Sequence, residues 1–257
     1  MSLQHLELTV AEHIATVTLN RPPVNAFNRP IRQELVDTFD MLSDRADVRV
    51  IILTGNGRQF CAGADIKERT QLTGEPGEYP RLNRLVREVF YSLMECQKPV
   101  IGAINGGALG AGMAIALCCD IILAADEAIF AMPEVDVGLA GGVKFLQRHL
   151  GPSKARRMLL TGQRVPAAEL YRLGVLEACV PRAQLMPAAM EIAREIASKS
   201  PLAVQMLKES FNAVENQTLR DGYRLEQNMT IALGKSEDAQ EAKRAFVEKR
   251  KPVFKGR

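Results

Sequence analysis

The hydrophobic positions of this chain change period as it runs, from two to about 3.6 and then to unbroken apolar stretches. Short β-branched runs at residues 6–10 and 14–19, separated by Ala11-Glu12-His13, predict an antiparallel hairpin. Asn20-Arg21-Pro22-Pro23 ends the second strand. Ile31, Leu35, Phe39 and Leu42 then fall at helical spacing. Residues 48–54, VRVIILT, form a buried strand closed by Gly55-Asn56-Gly57. FCAGADIK, residues 60–67, is a turn entering a helix. Residues 71–80 hold Gly74, Pro76, Gly77 and Pro80 and are expected to be a mobile loop. Residues 82–94 are helical again, and 100–104 and 121–124 are strands, each paired with a helix. This alternation predicts βαβ units around a central sheet.

From residue 188 onward the pattern is helical, over 190–198, 202–215, 219–234 and 236–248. Ser200-Pro201 and Ser236 are good helix starts. Helices with no sheet of their own tend to cover a neighbour, here expected to include another subunit. The expected division is a core domain over 1–195 and a helical oligomerisation region over 196–257.

The segment with most chemistry is 105–134, NGGALGAGMAIALCCDIILAADEAIFAMPE. It places a glycine-rich turn at the start of an apolar helix and one carboxylate, Glu134, just downstream. Free N–H groups near Gly110 can face a ligand oxygen, and glycine lets a substrate come close to that backbone. FCAGADIK repeats the logic, with Gly63 before Ala64. Two N–H groups from two such turns could meet on one carbonyl oxygen, each donor contributing about 3 kcal/mol to lowering a barrier. With one base, that is the constellation for enolate chemistry. Taken singly, each turn reads better as a tight βα connection. GALGAG is not a dinucleotide fingerprint, because Ile115 holds the final glycine position, and no Lys-Ser pair follows to make a phosphate loop.

Composition narrows the classes. The 257 residues suit one sizeable domain, or one with a helical appendage. A net charge of +3 is too small to argue for nucleic acid or an anionic membrane. Residues 99–119 carry no charge and could imitate a membrane helix, but Gly102, Gly106, Gly107, Gly110 and Gly112 favour a strand, a turn and a buried helix. Cys61, Cys96, Cys118, Cys119 and Cys179 show no CxxC spacing and read as reduced core thiols of a cytoplasmic protein. The opening MSLQHLELTV is not expected to be a signal peptide. His5, His13 and His149 lie in separate segments and make no metal set, and His149 is expected to be solvated. Asp120 is expected to cap or to form an ion pair.

Asn20-Arg21-Pro22, FCAGADIK, the block from Lys98-Pro99 to Asp120-Ile121, Pro133-Glu134, Leu160-Thr161-Gly162 and the closing AFVEKRKPVFKGR resemble the enoyl-CoA hydratase/isomerase (crotonase) superfamily. The resemblance spans essentially the whole chain, in family order. It implies an α/β crotonase (ClpP-like) fold of repeated ββα units with a C-terminal helical region, assembled as a homotrimer or dimer of trimers. It implies an acyl-CoA substrate, with coenzyme A entering as part of that substrate and no other cofactor. The oxyanion donors would be the N–H groups of Ala64 and Ala111. Ala64, Asp65, Ile66 and Lys67 would match the acyl-CoA binding stretch, whose backbone holds the adenine end of the bent cofactor, and Ala62, Gly110, Ala111 and Ala114 would also line the substrate site. Lys255 would approach the coenzyme A phosphates, in some relatives from a neighbouring subunit.

Hydratases of the superfamily carry two glutamates. One position here is Glu134; the other is Ala114, whose methyl can neither accept nor donate a hydrogen bond. Hydration is therefore disfavoured, since general acid–base terms are worth about a hundredfold to ten-thousandfold each. Shifting a double bond needs one base, and we expect 3-enoyl/2-enoyl-CoA isomerisation. Hydration with one glutamate is the close alternative, followed by decarboxylation, thioester hydrolysis or a non-catalytic acyl-CoA-binding subunit. Asp136 would share Glu134's side if the local chain were extended. The aspartate of the superfamily's dienoyl isomerases would fall at Gly142.

Overall fold

The computed structural model describes residues 3–257. Its first half runs β1 (Leu6–Ala11), β2 (Ile14–Leu19), α1 (Arg29–Asp44), β3 (Val50–Gly55), β4 (Gln59–Cys61), α2 (Ile66–Thr70), α3 (Glu78–Met94), β5 (Val100–Ile104), β6 (Gly107–Leu109), α4 (Ala111–Ala116) and β7 (Ile121–Ala125). It continues with β8 (Ile129–Ala131), a 3₁₀ turn (Pro133–Val137), α5 (Val143–His149), α6 (Pro152–Thr161), β9 (Val165–Pro166), α7 (Ala167–Arg172), β10 (Ala178–Val180) and α8 (Arg182–Ala197). The last helices are α9 (Pro201–Val214), α10 (Leu219–Leu233) and α11 (Glu237–Val247).

The main sheet has the order β1-β2-β3-β5-β7-β10 and is parallel except for the β1–β2 hairpin. Glu12 and His13 turn that hairpin with φ of 52° and 64°, the left-handed pair that matches the twist of a two-residue connection. The inner strands read as unbroken apolar runs because both faces of the sheet are covered. Ile51 and Leu53 face a core with Ile31, Leu35 and Phe39 of α1 and Leu93 of α3. Val50 and Ile52 face the other way, against Leu185, Ala189 and Ala193 of α8. The alanines, four residues apart, let α8 lie close to the sheet. Thus α8 covers this chain's own sheet rather than a neighbour, and the expected boundary at 195 falls inside it.

A second sheet, β4-β6-β8-β9, is made of very short strands. β4, β6 and β8 are parallel and β9 is antiparallel to β8. The run 99–119, uncharged throughout, resolves into β5, β6 and α4, and among the described residues no helix is long and apolar enough to cross a membrane. The loop expected over 71–80 stops earlier, because α3 already begins at Glu78 with Gly77 before it at φ 83°.

The C-terminal helices are fastened to the core by buried charge. Lys208 of α9 donates to the carbonyls of Leu93 and Lys98, both at 3.1 Å, and to Asp120 Oδ2 at 2.8 Å. Asp120 also accepts from the Val100 N–H at the start of β5, so of its two expected roles it fills the ion pair and caps no helix. Asp238 of α11 accepts from Ser200 and from the N–H groups of Lys255 and Gly256. Arg49 reaches the carbonyls of Ala197 and Phe254, which brings the tail to the amino end of β3.

Candidate active site

Each of the three parallel short strands runs directly into a candidate residue. Ala64 lies three residues past β4, Ala111 two past β6 and Glu134 three past β8. The carboxyl ends of parallel strands are where α/β sheets present ligands with backbone and loop groups.

Gly63, at φ +92°, is held by its carbonyl, which accepts from the Phe27 N–H at 2.8 Å. The Asp65 N–H returns to the Phe27 carbonyl at 2.9 Å. This ladder uses the residues on either side of Ala64, so the Ala64 N–H faces away from Phe27. A Cβ at Gly63 would stand 2.7 Å from the Leu109 carbonyl oxygen and 3.5 Å from the Ala111 nitrogen, so the two turns abut. Ala111 opens α4, and its N–H precedes the first helical bond. The apolar helix expected here is only six residues long. Its contribution is therefore one local donor rather than a helix field.

Glu134 stands on the 3₁₀ turn, whose geometry is closed by the Leu139 N–H donating to the Glu134 carbonyl at 2.9 Å. Its carboxylate lies across from Gly110. A Cβ on Gly110 would be 3.0 Å from Glu134 Oε1, and one on Gly141 would be 3.7 Å from its Cγ. Gly110 is itself tied to the strand end by its N–H to the Ala131 carbonyl at 2.8 Å. Ala114 is buried one turn into α4 and offers only a methyl group there.

The other candidates sort by geometry. The Ala62 N–H is used by the Val24 carbonyl at 3.0 Å. Burial raises the pKa of the Asp65 carboxyl, but Arg21 at 2.7 Å and the Lys67 and Glu68 N–H groups outweigh it and leave the carboxyl below its ordinary value. Asp65 thus starts α2, while Ile66 and Lys67 stand exposed beyond it. The role of Arg21 in pinning this turn was carried by the Asn20-Arg21-Pro22 motif but not readable from it. Burial pushes the Cys61 thiol up to about 12, so it stays protonated between the turns. Lys255 is exposed on the tail beside β3's amino end, whereas the three turns follow strand carboxyl ends.

Two expectations are corrected, at Asp136 and at His149. The chain at Asp136 is 3₁₀ rather than extended, and its carboxylate sits against Gly162 of the α6 terminus, not beside Glu134. His149 is half-buried, with Nε2 at 3.0 Å from the Leu117 carbonyl, and burial holds its pKa below the ordinary value. Gly142, at φ +76°, has Met132 Sδ 2.8 Å from where its Cβ would be, so an aspartate there would displace Met132.

The sequence pattern of the enoyl-CoA hydratase/isomerase family matches residues 9–257. Among curated relatives, a carnitinyl-CoA dehydratase of Proteus mirabilis is 38% identical, covering 99% of each chain. A 2,3-dehydroadipyl-CoA hydratase of Escherichia coli is 33% identical, covering 99% of this chain and 100% of its own. Among solved structures, an enoyl-CoA hydratase from Bacillus anthracis superposes with a TM-score of 0.94 at 33% identity, covering 99% of this chain and 100% of its own. The whole-chain match and the shared α/β architecture with C-terminal helices agree: this chain belongs to the enoyl-CoA hydratase/isomerase family.

Proposed function

We propose that the protein binds an acyl-CoA thioester with its carbonyl oxygen between the N–H groups of Ala64 and Ala111, and that Glu134 moves protons on the enolate so stabilised. The carrying observation is the meeting of three strand ends: abutting turns at Gly63 and Gly110, and a carboxylate that reaches them where Gly110 has no side chain. Negative charge developing on the thioester oxygen meets two fixed N–H dipoles. Glu134 takes the α proton of a 3-enoyl thioester. The electron pair spreads over the dienolate, and the proton returns at the γ carbon to give the 2-enoyl isomer. One base suffices, and the buried methyl of Ala114 supplies no second.

Water addition is the second reading, and the names of the relatives favour it. The Escherichia coli relative is a hydratase and the Proteus relative a dehydratase, both similar over nearly the whole chain. In that case Glu134 alone would activate water for attack at the β carbon. Assaying 3-hexenoyl-CoA isomerisation and crotonyl-CoA hydration with the same preparation separates the two. A larger kcat/KM for the 3-enoyl substrate supports the first reading; a larger one for hydration establishes the second. An oligomer, with coenzyme A phosphates reached by Lys255 of a neighbouring subunit, belongs to the same proposal, since the tail lies away from its own site.

A further inference from the structure

Where the amino ends of α1 and α3 meet α2, the chain encloses a cavity of about 370 Å³. Leu72, Leu82 and Leu85 form its apolar walls, and Arg29, Glu68, Glu78 and Arg81 its charged ones. Glu68 is paired with a cation, while Glu78 is hydrogen-bonded only to neutral groups of the 73–74 turn. Glu68 accepts from the Arg29 N–H at 2.5 Å and from the buried Arg32 guanidinium at 2.6 Å. Glu78 accepts from the N–H groups of Thr73 at 2.8 Å and Gly74 at 3.1 Å. Among the described residues, the guanidinium groups of Arg29 and Arg81 make no hydrogen bond or ion pair. A cavity with one wall of leucines and two uncommitted guanidinium groups fits an aliphatic chain that ends in an anion.

The cavity lies close to the candidate site. Glu68 is four residues from Ala64, which corresponds to roughly 6–10 Å along a chain that is part turn and part helix. A six-carbon acyl chain reaches roughly 6 Å from its thioester carbon to its far carbon. We infer that the acyl-CoA accepted here carries a carboxylate at the far end of a chain of about six to eight carbons, bound by Arg81 with Arg29. This rests on the thioester reading of the site above. Arg81 sits on the first turn of α3, the element that ends the 71–77 loop, and its guanidinium lies over Gly77.

Calorimetry with saturated ligands tests this without turnover. Adipyl-CoA is expected to bind at least tenfold more tightly than hexanoyl-CoA, which has the same length and no carboxylate. Arg81→Gln, and more fully Arg29→Gln with Arg81→Gln, is expected to bring that ratio near one. Both side chains are exposed, and retained hexanoyl-CoA binding shows that the variants are folded. Equal affinities in the parent protein, or a ratio that survives the double substitution, overturns the carboxylate assignment and leaves the thioester site standing. Failure of both ligands to bind overturns the thioester reading, and this inference with it.

Discussion

At Gly110 the backbone adopts φ 52° and ψ −121°, and the space a Cβ would fill is taken by Glu134 Oε1 at 3.0 Å. One glycine therefore sets both the direction of the Ala111 N–H and the approach of the carboxylate. Gly110→Ala is expected to cost about 1–3 kcal/mol of stability, because this φ/ψ pair is open almost only to glycine. It should cost turnover more, because the displaced carboxylate loses its alignment. Thermal unfolding and kcat measured side by side check this; a kcat that falls no further than the folded fraction would contradict it. On the proposed reading, the methyl at position 114 tilts the balance from hydration toward isomerisation. Ala114→Glu is expected to raise crotonyl-CoA hydration relative to 3-enoyl-CoA isomerisation, read at the thioester ultraviolet absorbance. An unchanged ratio would mean that the second carboxylate is not what limits hydration.

At the scale of elements, α9 is held by one buried ammonium serving three acceptors. Lys208→Met leaves Asp120 and two carbonyls without their donor. Because Asp120 is partly solvated, we expect a loss of about 2–4 kcal/mol in urea unfolding, toward the lower end for a broken buried pair. His149 couples α5 to the end of α4 through the Leu117 carbonyl, and burial keeps its folded pKa below its unfolded value. Its contribution is present above the unfolded pKa and is lost as pH falls from about 6.5 through the folded value. His149→Gln should flatten the acid side of the stability profile over that range. The elements most legible in the sequence were those with a long, clean period: the hairpin, α1, β3 and the C-terminal helices. β4, β6 and β8 were missed, being three residues each with no period to detect. Those strands align Ala64, Ala111 and Glu134. The candidate residues were thus picked out by two glycine-rich turns and Pro133-Glu134, while the short strands that bring them together were not legible. The 3₁₀ turn that swings Asp136 away is equally local, set by packing against α6 rather than by composition.

For the whole molecule, the sheet is covered on both faces within one chain, by α1 and α3 on one side and α8 on the other. The helices beyond α8 behave differently. Phe211, Leu219 and Phe246 are 74%, 89% and 86% exposed, with Leu207, Tyr223 and Ile231 also out in solvent. Apolar surface of this size on the outer helices calls for a partner, and a second and third copy would cover it. The expected state is a trimer or hexamer by light scattering. A stable monomer at micromolar concentration would contradict that assembly, and with it a role for Lys255 at a neighbour's site.

The central claim is that two backbone donors and one carboxylate generate an enolate from a thioester, whichever product follows. Exchange of the α protons of butyryl-CoA in heavy water, followed by proton NMR, isolates that step from the fate of any double bond. The expected result is enzyme-dependent exchange that slows at least about a hundredfold in Glu134→Gln, while butyryl-CoA affinity changes little because the base acts mainly in the transition state. No exchange above buffer with the parent protein, or equal exchange in the variant, would contradict the account.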